Sequence, residues 1–187
     1  MLKARRPNTF RDEVIRATPG GERLVGCLQC GTCGGSCPNG QDMDDTPRHV
    51  FALINAGMRE EALSHNTMWM CVSCYLCTTR CPQEIPITDI LYTLKRMAVR
   101  EGFAGDTDAP ALARTFTGYV DRFGRSFELG LASRFYLMNK PASMLRMGPL
   151  GLSMFKHGRM SLRPTRIRQV QQLQAIIRKA KELGAAA

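Results

Sequence analysis

Apolar residues in the middle of the chain recur at intervals of three and four. Ile90, Leu91, Leu94, Met97 and Ala98 fall on one side of a helix, which the pattern caps at Thr88 and stops at Gly102. Val50, Phe51, Leu53 and Ile54 make a similar stripe between a Thr46 cap with its first-turn Pro47 and Gly57. A weaker helix is expected over Met58–His65, and a short one from a Thr9 cap to Thr18, ended by Pro19-Gly20-Gly21. Beyond Gly102 the pattern loosens. A linker or cap over Asp106–Pro110 precedes helices over Ala111–Phe123 and Ser126–Asn139; the second draws on Phe127, Leu129, Leu131, Phe135 and Leu137. No element is expected from Pro141 to Pro164, where Met144, Met147, Met154 and Met160 lie among prolines, glycines and basic residues. A last helix runs from Thr165 to about Leu183, with Ile167, Val170, Leu173, Ile176, Ile177 and Ala180 as its stripe. Strand-like alternation is absent, so the fold class is mainly α.

Two near-identical phrases interrupt these helices: CLQCGTCGGSCP from Cys27 to Pro38 and CVSCYLCTTRCP from Cys71 to Pro82. Both read CxxCxxCxxxCP, and together they use all eight cysteines. Three thiolates two residues apart on one tight loop can reach three corners of a cubic [4Fe-4S] cluster. In two-cluster ferredoxins the fourth cysteine, followed by proline, ligates the other cluster. The expected ligand sets are therefore Cys27, Cys30, Cys33 and Cys81 for one cluster, and Cys71, Cys74, Cys77 and Cys37 for the other. A zinc ribbon would divide each run into pairs around one ion, and neither run divides that way. Gly31, Gly34 and Gly35 are expected to let backbone amides approach the sulfurs and to tolerate positive φ. Trp69 and Met70 are expected to shield cluster iron from water, an expectation that plain core packing shares, and Tyr75 and Leu76 to pack between the ligands. His49, His65 and His157 are not expected to bind metal, since the cysteines already satisfy two clusters.

Composition narrows the function. With 44% apolar residues and no run of about 18 of them, the chain has no segment to span a bilayer. Eight thiolates kept for iron, with no apolar segment behind the basic start MLKARRPNTFRDEV, point to a reducing compartment, the cytoplasm. The formal charge of +10 lies wholly in the last 54 residues, which hold 11 Lys+Arg and the single acid Glu182. The expected organisation is a helical two-cluster ferredoxin domain over 1–105 and a basic, methionine-bearing extension over 106–187. Methionine and arginine suit interface cores, so the extension is expected to dock on a larger protein of the same complex. A solvated face, or contact with nucleic acid or anionic membrane, are the other readings of the same charge. There is no glycine-rich phosphate loop, GxSxG, HExxH or dinucleotide fingerprint, and every cysteine is committed to iron, so no catalytic residue is expected.

The phrase LQCGTCGGSCP, the helical insert, and CVSCYLCTTRCP followed by IPITDILYTLKRMA together resemble the small, C-type iron-sulfur subunit of heterodisulfide reductase, over roughly residues 10–102. The resemblance implies an alpha-helical ferredoxin domain that passes single electrons between a larger flavin and iron-sulfur subunit and a disulfide-active catalytic subunit. The chain would then be one part of a hetero-oligomer, with no substrate site of its own and no nucleic-acid partner. Similar modules occur in glycolate oxidase and anaerobic glycerol-3-phosphate dehydrogenase. A free ferredoxin and a redox-sensing nucleic-acid-binding protein are the further alternatives.

Overall fold

Helix-forming stripes need a shared core. In the computed structural model, which describes residues 9–103, 108–159 and 161–185, helices α1 (Thr9–Arg16), α3 (Pro47–Ala56), α4 (Arg59–Ser64) and α7 (Ile87–Glu101) converge on one. Helices α2 (Thr32–Gly35), α5 (Thr67–Met70) and α6 (Leu76–Thr79) are single turns around the cysteine runs. The remaining helices are α8 (Ala109–Phe123), α9 (Glu128–Asn139), α10 (Pro141–Lys156) and α11 (Val170–Ala185). No strand occurs among the described residues. The chain divides into two compact units, the second beginning at Asp108. The expected boundary at 105/106 falls in 104–107, and the basic start and Met160 likewise lie outside the described residues.

In the first unit α3 buries Val50, Phe51, Leu53 and Ile54, and α7 buries Ile90, Leu91, Leu94, Met97 and Ala98, all at most 4% exposed. Phe10 and Val14 of α1 and Leu24 of the 3-10 turn Gly21–Gly26 complete this core from the other side. Gly57 and Gly102 end their helices in the left-handed conformation.

Two expected caps fall elsewhere. Thr9 is the first residue of α1, and Thr88 is the second residue of α7, which opens with Ile87 after Pro86. Thr88 is fully buried, and its hydroxyl lies 3.4 Å from Thr78 Oγ1 and 3.7 Å from Cys77 Sγ. Its polar atom serves the cysteine loop instead of the helix end. The segment after α1 is held by a buried hydrogen bond of 2.8 Å from Thr18 Oγ1 to Thr93 Oγ1 on α7.

In the second unit the stretch after Pro141 forms helix α10. Proline at its first turn suits helix initiation, and the internal Pro149 is tolerated. Its Met147, Leu150, Leu152, Met154 and Phe155 are 38–57% exposed, so they form no core within this unit. Helix α9 begins at Glu128, two residues later than expected, and buries Phe135. The last helix starts at Val170, because residues up to Gln169 are held in another way: the Ile167 N–H donates to the Phe123 carbonyl at 3.1 Å. Helix α11 lies against α8, with Gln174 Nε2 donating to the Asp121 carbonyl at 2.9 Å and Lys181 paired with Asp121 at 2.9 Å. Val170, Leu173 and Ile177 are half-buried, whereas Ile176 faces solvent, which narrows the expected stripe.

Arg59 ties three helices of the first unit together. Its guanidinium donates to Glu13 at 2.8 Å and to both oxygens of Glu101 at 2.6 and 2.8 Å, and lies 5.1 Å over the Phe10 ring. Its hydrogen bonds hold both carboxyls below their ordinary range. A lowered folded pKa stabilises the native state above the unfolded carboxyl pKa, and that contribution disappears as pH falls through the lowered values. Arg59→Met is expected to cost about 2 kcal/mol at neutral pH. Urea denaturation of both proteins from pH 7 into the acid range should show their stability difference closing as the carboxyls protonate.

Candidate metal centre

The cysteine runs fold into equivalent loops 44 residues apart. Gln29 and Ser73 sit at φ 58° and 60°, and Gly31 and Tyr75 at 81° and 60°; each loop then enters a one-turn helix, α2 or α6. After it, the Cys37 N–H donates to the Gly34 carbonyl at 3.1 Å, and the Cys81 N–H to the Thr78 carbonyl at 3.2 Å. Left-handed backbone costs a non-glycine residue about 1–2 kcal/mol, so the second run carries strain that Gly31 spares the first. Of the three glycines expected at positive φ, only Gly31 adopts it. Gly34 and Gly35 are helical, and Gly34 is needed for space: a Cβ there would lie 2.9 Å from the Thr46 methyl.

The thiols line two small cavities of equal volume, about 20 Å³ each. Cys27, Cys30, Cys33 and Cys81 line the first, where Arg48 and Phe51 of α3 form part of the wall. Cys71, Cys74, Cys77 and Cys37 line the second, where Thr88 and Leu91 of α7 take that part. The loop after the first run is laced to the approach to the second. Asn39 Nδ2 donates to the Met70 carbonyl at 2.9 Å. The Asp44 N–H meets Asn66 Oδ1 at 2.7 Å while the Asn66 N–H meets Asp44 Oδ2 at 2.8 Å.

Electrostatics bear on which thiols ionise readily. Burial pushes the Cys33 thiol up, opposed by the Gly34 N–H and reinforced by the charges of Cys27 and Cys77. Burial also raises Cys37, against the Asn39 N–H and with Cys74, Cys77 and Cys71 adding to the rise. The Thr32 hydroxyl, 3.4 Å from Cys30 Sγ, lowers Cys30. Thiols crowded in fours cannot all be anions without a positive centre among them, and an iron-sulfur core supplies one. The fit is therefore one of chemistry.

Tyr75 and Leu76 are 43% and 42% exposed and cover little; Trp69 packs on the core, as ordinary interior packing would have it. His49 and His65 both turn to Asp45, at 2.7 and 3.3 Å, and His157 Nδ1 lies 2.7 Å from the Ser153 carbonyl. Motif spacing gives no sign of the side chains placed against sulfur: Gln29, whose Nε2 lies 3.5 Å from Cys27 Sγ, Thr32 and Thr88.

Residues 23–85 match a family described as the 4Fe-4S dicluster domain. The C-type subunit of the H(2):CoB-CoM heterodisulfide,ferredoxin reductase of Methanothermobacter marburgensis is 41% identical over 91 residues, 49% of each chain. This chain carries a 4Fe-4S dicluster domain over residues 23–85. The domain holds two [4Fe-4S] clusters. The C-type subunit of the ferredoxin:CoB-CoM heterodisulfide reductase of Methanosarcina mazei is 43% identical over 91 residues, 49% of this chain and 55% of its own. A C-type iron-sulfur subunit of the CoB–CoM heterodisulfide reductase of Methanocaldococcus jannaschii is 38% identical over 127 residues, 63% of each. The chain spans about half the length of the first two. No helix among the described residues is long and apolar enough to cross a membrane.

Each cysteine loop turns through two left-handed positions, and at the second of them the first run places Gly31. Gly31→Val should cost about 2 kcal/mol, since a β-branched residue is the least able to adopt that conformation. A thermal melt of the variant should drop by several degrees, whereas Gly35→Ala, where a Cβ meets nothing within 4 Å, should leave the melt nearly unchanged.

Proposed function

We propose that the chain is the electron-relay component of a heterodisulfide reductase-like complex. Cys27, Cys30, Cys33 and Cys81 ligate one [4Fe-4S] cluster, and Cys71, Cys74, Cys77 and Cys37 the other. The observation that carries this reading is that the last cysteine of each run lines the same cavity as the first three of the other. A [4Fe-4S] cluster supplies one-electron chemistry, and the protein's part is to hold, shield and tune it. Phe51 and Leu91 cover the cavities from the core side, and no residue acts as acid, base or nucleophile.

The partners are a flavin-bearing iron-sulfur subunit and a disulfide-active catalytic subunit, in a hetero-oligomer within the cytoplasm. The names of the relatives, each one component of a larger reductase, support a multi-subunit assembly. So does the second unit: exposed apolar side chains on α10 beside Arg146, Lys156 and Arg159 suit a protein interface better than a solvated face. A diffusible ferredoxin has no use for such a surface.

Anaerobic reconstitution should load about eight irons per chain. Cys81→Ser should damage the cluster of the first run and Cys37→Ser that of the second, each followed by electron paramagnetic resonance. Loss of the opposite cluster in either variant would overturn the crossed ligand sets. Anaerobic affinity purification from the native host, with mass spectrometry of what travels with the chain, tests the partners.

A further inference from the structure

The two cysteine loops match in backbone but differ in what they turn toward sulfur. Gln29 corresponds to Ser73 and Thr32 to Leu76. In the first loop Gln29 Nε2 lies 3.5 Å from Cys27 Sγ and Thr32 Oγ1 lies 3.4 Å from Cys30 Sγ. In the second, Ser73 Oγ is engaged by Tyr92 Oη at 2.5 Å, and Leu76 has nothing to donate. Among the described residues, the side-chain donor that meets a second-cavity sulfur is Thr88, 3.7 Å from Cys77 Sγ and shared with Thr78. An iron-bound thiolate carries no proton, so each hydroxyl must be the donor.

Fixed charge differs in the same sense. Arg48 lines the first cavity at the position where Thr88 lines the second, and it has no carboxylate partner among the described residues. Lys95 Nζ reaches the Cys71 carbonyl at 3.3 Å, but Asp89 stands on the same side, 3.2 Å from the Tyr75 hydroxyl, and offsets it. Arg23 is paired with Glu84 at 2.7 Å. Arg80, next to Cys81, lies 3.5 Å from Ser36, next to Cys37, and so stands near both sites. Hydrogen bonds to sulfur and nearby positive charge favour the reduced, more negative cluster.

We infer that the two cluster sites are unequal: the first cavity has the higher reduction potential, and Gln29, Thr32 and Arg48 set the difference. An electron on the second cluster then passes to the first. The donor core returns from the +1 to the +2 state as the acceptor core goes from +2 to +1, with no proton and no other reactant. The chain is thus a relay with a built-in direction, a conclusion that rests on the ligand sets proposed above.

The test is a potentiometric titration of the anaerobically reconstituted chain with dithionite, followed by electron paramagnetic resonance, with iron counted on the same samples. Thr32→Val, Gln29→Leu and Arg48→Met should each lower the higher of two one-electron transitions and leave the lower in place. Thr32→Ser, which keeps the hydroxyl, should restore the wild-type value. Thr88→Val should lower the other transition alone. Fewer than eight irons in the wild-type chain would count against the ligand sets. Eight irons with the lower transition moved by Thr32→Val and Arg48→Met, or neither moved, would overturn the polarity alone.

Discussion

Four thiols crowded around each of two cavities are the constraint on which the cysteine domain depends. Burial raises the cost of the Cys33 and Cys37 thiolates, and the charges of neighbouring sulfurs add to it, so the arrangement favours a positive core between them. Because each cavity draws three sulfurs from one run and one from the other, neither loop completes its site alone. The helical insert therefore has a job beyond spacing. It brings the Asp44–Asn66 and Asn39–Met70 contacts into register, and those hold the end of the first run against the start of the second.

The apolar core supports this from beneath. Helices α3 and α7 each follow a cysteine run, bury one face in the shared core, and present the next residues round the helix to a cavity. Phe51 and Leu91 do both jobs, being fully buried in the core and also part of a cavity wall. Packing and cavity shape are coupled there, so a core substitution at either position would alter a cavity wall. Arg59, by contrast, binds α1, α4 and α7 together through Glu13 and Glu101 and is absent from both cavity walls.

The second unit follows a different physical logic. Its ion pairs use lysine, in Lys140–Asp108, Lys179–Glu182 and Lys181–Asp121, and its arginines stand outside these three pairs. Arginine has the better geometry for carboxylates on another molecule. Together with the exposed apolar side chains of α10, this leaves apolar and cationic groups side by side on the unit's surface.

Much of the helical order is legible in residue spacing. The stripes of α3 and α7 and their terminal glycines follow from local rules, and the repeated CxxCxxCxxxCP announces thiolate chemistry wherever it occurs. Helix α10 is not legible, because the local penalties of Gly148, Pro149 and Gly151 argue against a helix that nevertheless forms around them. The start of α11 escapes local rules for a similar reason: Thr165 has the character of a cap, but Ile167 is held by the Phe123 carbonyl, a partner 44 residues away. Thr88 has the same character, yet its hydroxyl is turned to Thr78 and Cys77. By itself the sequence determined the chemistry, since thiolate identity and spacing are local properties. Only the tertiary structure decided that Gln29, Thr32, Arg48 and Thr88 stand against those sulfurs, because the placement of Arg48 and Thr88 joins residues distant in the chain and depends on how α3 and α7 pack.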